Sequence, residues 1–221
     1  MRRYAGLSVV GVLASLGLTA ASVAPASAAT TKNLIQNGGA EAAAGSSTGA
    51  VVPVPHWMDF TGASFTAVKY GATGGGFLTA KSPGPKYRGK NFFAGGPNDP
   101  NDSIVAAQTV NLKPYANAIN GGHVKANLVG WLGGSGKKTD SAFVEVDFKN
   151  NQGFLVGTSL TLGPVTESNR GGVTELLKKA DGGTVPAGAV TAFVQLSLTR
   201  ANGQTYNTAF ADNLSLALTG T

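Results

Sequence analysis

Ala142-Phe143-Val144-Glu145-Val146-Asp147-Phe148 and Ala192-Phe193-Val194-Gln195-Leu196-Ser197-Leu198-Thr199 decide the fold class. Both alternate strictly between apolar and other residues, and successive side chains of a β-strand point to opposite faces. One face of the first stretch is Ala142, Val144, Val146 and Phe148, opposed by Phe143, Glu145 and Asp147. The second gives Ala192, Val194, Leu196 and Leu198 against Phe193, Gln195, Ser197 and Thr199. A third stretch, residues 123–132, puts Val124, Ala126 and Leu128 on one face and Lys125, Asn127, Val129 and Trp131 on the other. Each strand therefore has a dry face and a polar face seeded with an aromatic, the pattern of antiparallel sheets with one solvated side.

Working outward, further strands are expected at residues 33–36, 64–70, 91–94, 103–112, 154–162 and 208–218, with 123–132 extended, 142–149 and 189–200 completing the set. Glycine clusters separate them, including Gly74-Gly75-Gly76, the stretch from Gly95 to Pro100, Gly133-Gly134-Ser135-Gly136 and Asp181-Gly182-Gly183. Residues 173–180 fit either one or two helical turns or an edge strand. About nine short strands with one wet face predict an all-β fold, a two-sheet antiparallel jelly-roll sandwich.

The chain opens with Met1-Arg2-Arg3, an uncharged run to about residue 21, and Ala26-Ser27-Ala28, the layout of a cleavable secretory signal peptide. Residues 1–28 are assigned to the leader and residues 29–221 to a single β-sandwich domain, although cleavage after Ala29 satisfies the same rule. A secreted, extracellular protein with no membrane insertion after cleavage is expected. The 221 residues include no cysteine, which excludes a disulfide framework and thiolate metal sites. The formal charge is +6, lowered by two if Arg2 and Arg3 leave with the leader. The lysines are scattered and form no basic stripe with interleaved aromatics, which argues against nucleic acid and leaves weak attraction to anionic envelope polymers.

The two ends of the domain carry its most specific motifs. Asn33-Leu34-Ile35-Gln36-Asn37-Gly38-Gly39-Ala40-Glu41 and Ala211-Asp212-Asn213-Leu214-Ser215-Leu216 resemble the first and last strands of galactose-binding-like jelly rolls, similar to carbohydrate-binding modules. The resemblance implies that the terminal strands lie side by side and share a structural calcium ion, with Glu41 and Asp212 as carboxylate ligands. Calcium takes about 6 to 8 hard oxygen ligands, so backbone carbonyls complete such a shell. Asn213 stands where many relatives carry a second acid. Without calcium, Glu41 is a solvated acid and Asp212 caps a turn.

Sugars present apolar C–H faces and hydroxyls, so a sugar site joins aromatics to planar amides and carboxylates. Lys125, Asn127, Trp131, Glu145, Asp147 and Gln195 supply this mixture if their strands are neighbours; otherwise they lie on an ordinary solvated sheet, with Trp131 partly covered by a loop. Trp57 reads as a buried anchor for an incoming loop, and Phe92 or Phe93 as a core anchor. Glu145 and Asp147, about 7 Å apart along a strand, are also similar to a fragment of the E-x-D-x-x-E strand of laminarinase-type glycosidases. The last Glu is missing, because Lys149 and Asn150 occupy its place. Two histidines, His56 and His123, have no zinc-ligand spacing, and no phosphate-cradling loop is present. The expected function is therefore a secreted, non-catalytic module that binds a polysaccharide or cell-envelope glycan. The alternatives are a structural, self-associating extracellular protein and a glycosidase using Glu145 and Asp147.

Overall fold

The alternating segments become ten strands arranged in two five-stranded sheets. The structure is a computed structural model that describes residues 29–62, 64–97, 103–201 and 203–221; the leader assigned to residues 1–28 lies outside them. The strands are β1 (Met58–Asp59), β2 (Thr66–Lys69), β3 (Asn91–Pro97), β4 (Ser103–Asn111), β5 (Lys125–Gly134), β6 (Ser141–Lys149), β7 (Leu160–Val165), β8 (Glu175–Thr184), β9 (Thr191–Thr199) and β10 (Tyr206–Thr219). The front sheet has the order β1-β4-β9-β6-β7 and the back sheet β2-β3-β10-β5-β8. Every pairing is antiparallel. The only helices among the described residues are single turns, including α1 (Ala116–Asn120) and α2 (Glu167–Arg170), and none is long and apolar enough to cross a membrane.

The inner faces match the periodicity. Val144, Val146 and Phe148 of β6 and Val194, Leu196 and Leu198 of β9 meet Ala126, Leu128 and Leu132 of β5 and Leu214, Leu216 and Leu218 of β10 in one core. Each such large side chain contributes about 1.5–3 kcal/mol when fully removed from water. Trp57 is buried in the same core against Phe65 and Phe93, and its indole N–H donates to the Asn37 carbonyl at 3.3 Å. Phe92 and Phe93, neighbours on β3, point to opposite sides, so one ring fills each of two cores.

The second core lies on the outside of the back sheet. Val68, Phe92, Ala94, Leu176 and Phe210 gather there beneath Phe77 and Leu78 of the β2–β3 connection. Phe92 and Phe210 meet edge to face at 5.0 Å, and Phe92 lies 5.0 Å from Tyr70. Part of the back sheet's outer surface is thus covered, while most outward residues of β6 and β9 on the front sheet are half-buried.

Three local expectations are corrected and one open alternative is resolved. Residues 33–36 form no strand, although they run beside β10: Thr31 N–H donates to the Leu218 carbonyl at 2.9 Å and Leu34 N–H to that of Leu216 at 2.8 Å. Asn33 interrupts the ladder by using its own amide, which donates to the Leu214 carbonyl and accepts from Leu216 N–H. Of residues 154–162 only the last part is strand, because the chain turns at 150–153. Of residues 173–180, open between helical turns and an edge strand, 175–180 form the edge strand β8, and Asp181-Gly182-Gly183 continues that strand instead of turning.

β10 consequently has two partners in succession along one edge. Its first half pairs with β3 and its last residues bond to the N-terminal segment. The exchange occurs at Asp212 and Asn213, where the register against β5 also shifts. Asn213 takes up the extra residue of this bulge with φ of 49°.

Candidate functional site

The outer face of the front sheet is organised in rungs by the register. One rung reads Ala107, Gln195, Glu145 and Thr161 across β4, β9, β6 and β7. The adjacent one reads Thr109, Phe193 and Asp147, and Asp147 Oδ1 accepts a hydrogen bond from Ser159 Oγ at 2.6 Å. Beyond it lie Asn111, Thr191, Lys149 and the bridged Leu155. Phe60, which follows β1 and is 58% exposed, approaches Phe193 edge to face at 6.1 Å. Ala107 carries only a methyl group between the strands of these two rings, which leaves them room to meet across β4. Lys149 Nζ sits 4.2 Å from the Phe193 ring centre, within cation–π range. At the β1–β4 margin a depression of about 370 Å³ is lined by His56, Met58, Ala107 and Thr109 among others. Aromatic, amide and carboxylate groups are therefore contiguous on an open strip several residues long.

The structure divides the six sugar-site residues into two groups. Glu145 and Gln195 are direct cross-strand partners, and Asp147 is one rung away. Lys125, Asn127 and Trp131 belong to β5, in the other sheet, so their outward face is on the opposite side of the sandwich. The strand adjacency on which the combined set depended does not hold. Trp131 is half-buried against the second core, while Lys125 and Asn127 are exposed. Phe60 escaped the sequence reading because its relevance depends on β1 pairing with β4, which no periodicity of two residues reveals. Glu145 has Gln195 and Thr161 as lateral neighbours, and Asp147 has Phe193 and Ser159. No third carboxylate faces them from these positions.

The second constellation is the joint between the chain's ends. Asp212 is fully buried; its Oδ2 accepts from the Tyr70 hydroxyl at 2.6 Å and its Oδ1 from Asn213 N–H at 2.7 Å. Burial raises its carboxyl to about 8, with the Glu41 carboxylate adding to the rise and Tyr70, Asn213 and Arg88 opposing it. The same burial, reinforced by Asp212, pushes the Tyr70 phenol well above its ordinary value. Glu41 Oε1 accepts from the N–H groups of Lys90 and Asn91, both at 2.8 Å. That approach requires glycine at 89, with φ of 69°, since a Cβ there would stand 2.4 Å from the same oxygen.

These groups converge on Gly39. A Cβ built on it would lie 3.2 Å from Asn213 Oδ1, 3.5 Å from Asp212 Oδ1 and 3.9 Å from Glu41 Cγ. Asn213 spends its amide nitrogen on the Tyr87 carbonyl, so its oxygen is the atom turned inward. The loop leading into this cradle holds Asn37 at φ of 50° and Ala40 at φ of 60°. Left-handed backbone at a buried alanine costs about 1–2 kcal/mol and marks a segment held by its surroundings. No group of three or more His, Cys, Asp or Glu occurs among the described residues. The donor set is instead two carboxylates and an amide oxygen, hard oxygens suited to a calcium ion. Glu41 and Asp212 therefore fit the ion that the sequence resemblance implies.

No family model and no curated protein matches the chain. Solved structures of similar architecture include the family 61 carbohydrate-binding module TmCBM61 in complex with β-1,4-galactotriose, at 15% identity and a TM-score of 0.49, covering 84% of this chain and 98% of that one. A family 16 carbohydrate-binding module aligns at 21% identity and a TM-score of 0.47, covering 83% and 99%. The enzymatically active domain of tailspike protein 4 from bacteriophage CBA120 aligns at 14% identity and a TM-score of 0.49 over 83% of this chain, which spans only 21% of the length of that one. At these identities and TM-scores the similarities are distant ones.

Proposed function

We propose that this chain is an exported, non-catalytic carbohydrate-binding module whose ligand lies along the outer face of the front sheet. One observation carries the proposal: Phe193 and Phe60 stand beside the Gln195–Glu145 pair and Asp147 on an uncovered strip. The rings offer an apolar platform for sugar C–H faces, and the amide and carboxylates accept or donate to hydroxyls at defined positions. The strip is open along its length, which favours a polysaccharide chain over a monosaccharide. The absence of an acid at Lys149 and Asn150, and of a carboxylate among the lateral neighbours of Glu145 and Asp147, supports binding without hydrolysis. A calcium ion held by Glu41 and Asp212, with Asn213 beside them, is the structural cofactor of this proposal. Its charge compensates two neighbouring carboxylates, one of them fully buried, and pins the N-terminal segment to β10. In this proposal residues 1–28 act as a secretory leader, and calcium and glycans are both available outside the cell.

Binding of the purified protein to a panel of polysaccharides, followed by titration calorimetry on the hits, tests the proposal. Phe193→Ala should weaken binding by about tenfold, the loss of one stacking contact worth about 1.4 kcal/mol, with circular dichroism and melting unchanged. Gln195→Ala should weaken it similarly, and no reducing ends should appear on prolonged incubation. An absence of binding to every polysaccharide, or binding indifferent to both substitutions, refutes the assignment and returns the chain to the structural, self-associating alternative.

A further inference from the structure

The exposed part of the back sheet's outer face has a charge and texture opposite to those of the front sheet. Lys125 is exposed on β5 between Thr184 and Thr219, and Lys178 is exposed on β8 opposite Trp131. Between them the floor is low, made by Ala180 and Gly182 of β8 and by Ser215 and Ala217 of β10, with Asn127 in the middle. The connection before β3 forms one wall. It is fastened to the sheet by Leu176 N–H donating to the Pro83 carbonyl and by Asn213 Nδ2 donating to the Tyr87 carbonyl. On that wall the Tyr87 ring is 80% exposed, with Lys86 Nζ 5.2 Å from its centre.

Nearby carboxylates do not neutralise these lysines. Asp212 is buried, and one Glu41 oxygen is occupied by backbone N–H groups. Glu175 and Asp181 lie on β8 in the pleat phase opposite to Lys178, and Asp181 bonds to Thr161 of the front sheet. From Lys125 to the level of Lys178 the face extends about 20 Å along the strands. Positive charge spread over that length suits a polymer better than a small anion. An exposed tyrosine, a half-exposed tryptophan and an asparagine beside it suit sugar rings. The front strip, where Glu145 and Asp147 stand near Lys149, carries no such positive excess.

We propose that the outer face of the back sheet is a second binding surface, for an acidic polysaccharide, with Lys86, Lys125 and Lys178 meeting its carboxylates and Tyr87 and Trp131 its rings. The surface is independent of the glycan strip on the front sheet. Polygalacturonate is the probe, titrated into the full-length protein at low and at about 0.15 M salt, where the screening length has shrunk to about 8 Å. Binding that weakens with salt is expected. The triple variant Lys86→Gln, Lys125→Gln, Lys178→Gln should reduce it about tenfold or more, the order expected for losing three partly screened charge contacts. Tyr87→Ala should also weaken binding, and Phe193→Ala should leave it unchanged. No binding at low salt overturns the proposal, as does binding that the triple variant retains or that Phe193→Ala abolishes. Equal affinity for single-stranded DNA of matched charge also overturns it, since the surface is then a nonspecific polyanion site.

Discussion

Asp212 offers the sharpest quantitative test, because its burial makes the stability of the protein depend on pH in a predictable direction. In the cation-free protein the carboxyl titrates near 8 when folded, against 3.8 for an ordinary aspartate. Folding therefore favours the protonated acid. The stabilisation is fully present below about pH 4, and it is lost as pH rises through 8, since the folded protein must then either hold a buried carboxylate or release it. Each pH unit between the two values costs about 1.4 kcal/mol, so the loss from pH 5 to pH 8 is bounded at about 4 kcal/mol. Relaxation of Arg88 and water entry reduce this to about half. For a domain of this size about 2–4 °C accompanies each kcal/mol, which makes the expected fall in melting temperature about 4–8 °C. The assay is thermal unfolding in chelator from pH 5 to pH 8 for the unsubstituted protein and for Asp212→Asn, which cannot titrate. The slope should be shallower in the variant by that amount, whatever its baseline stability. Calcium should raise the melting temperature of the unsubstituted protein more at pH 8 than at pH 5, because the ion needs the ionised carboxylate. Equal slopes in the two proteins would refute the assignment of the buried charge to Asp212.

Two further outcomes follow from the packing. Phe92→Ala should destabilise the protein by about 3–5 kcal/mol in denaturant titration, the range for emptying a buried aromatic site, and loosen the connection carrying Tyr87, seen as faster proteolysis there. A cost below about 1 kcal/mol means that the second core collapses around the gap. Gly89→Ala should displace the Glu41 carboxylate, which occupies the space of the new methyl group, and lower the stabilisation gained from calcium at fixed pH; calorimetric titration of the ion checks this.

The strands with strict alternation were legible because each has one face in the main core. β5, β6 and β9 have this form, and their inner residues match the sequence pattern. β8 read ambiguously, as helical turns or an edge strand, because it lies at the sheet edge with only Leu176 fully buried and its lysines and leucines also fit a helical turn. Its Gly182 reads as a turn residue; in the structure it is where β8 comes close to β5, with a Cβ there 2.9 Å from the Ala126 carbonyl oxygen. Alternation also cannot assign a strand to a sheet. It identified Lys125, Asn127 and Trp131 as one face and Glu145 and Asp147 as another, but long-range pairing alone decides that these faces look in opposite directions. The Glu41–Asp212 joint was legible because both halves are local motifs; the Gly39 cradle and Tyr70 were not, since they come from folding distant loops over the bulge.

The bulge at Asp212 and Asn213 has a kinetic consequence. Hydrogen bonds such as Thr31 to Leu218 join residues 187 positions apart, and β10 is the central strand of the back sheet. The segment around Thr31 and Leu34 has these partners for its backbone only once the final strand has been made. Closure of the sandwich then resembles fastening a clasp, with both ends of the thread meeting at one point. Such high contact order makes folding slow. A permuted chain joined through residues 30 and 219, with new ends in the 150–153 turn, would hold its clasp from the start and should fold faster.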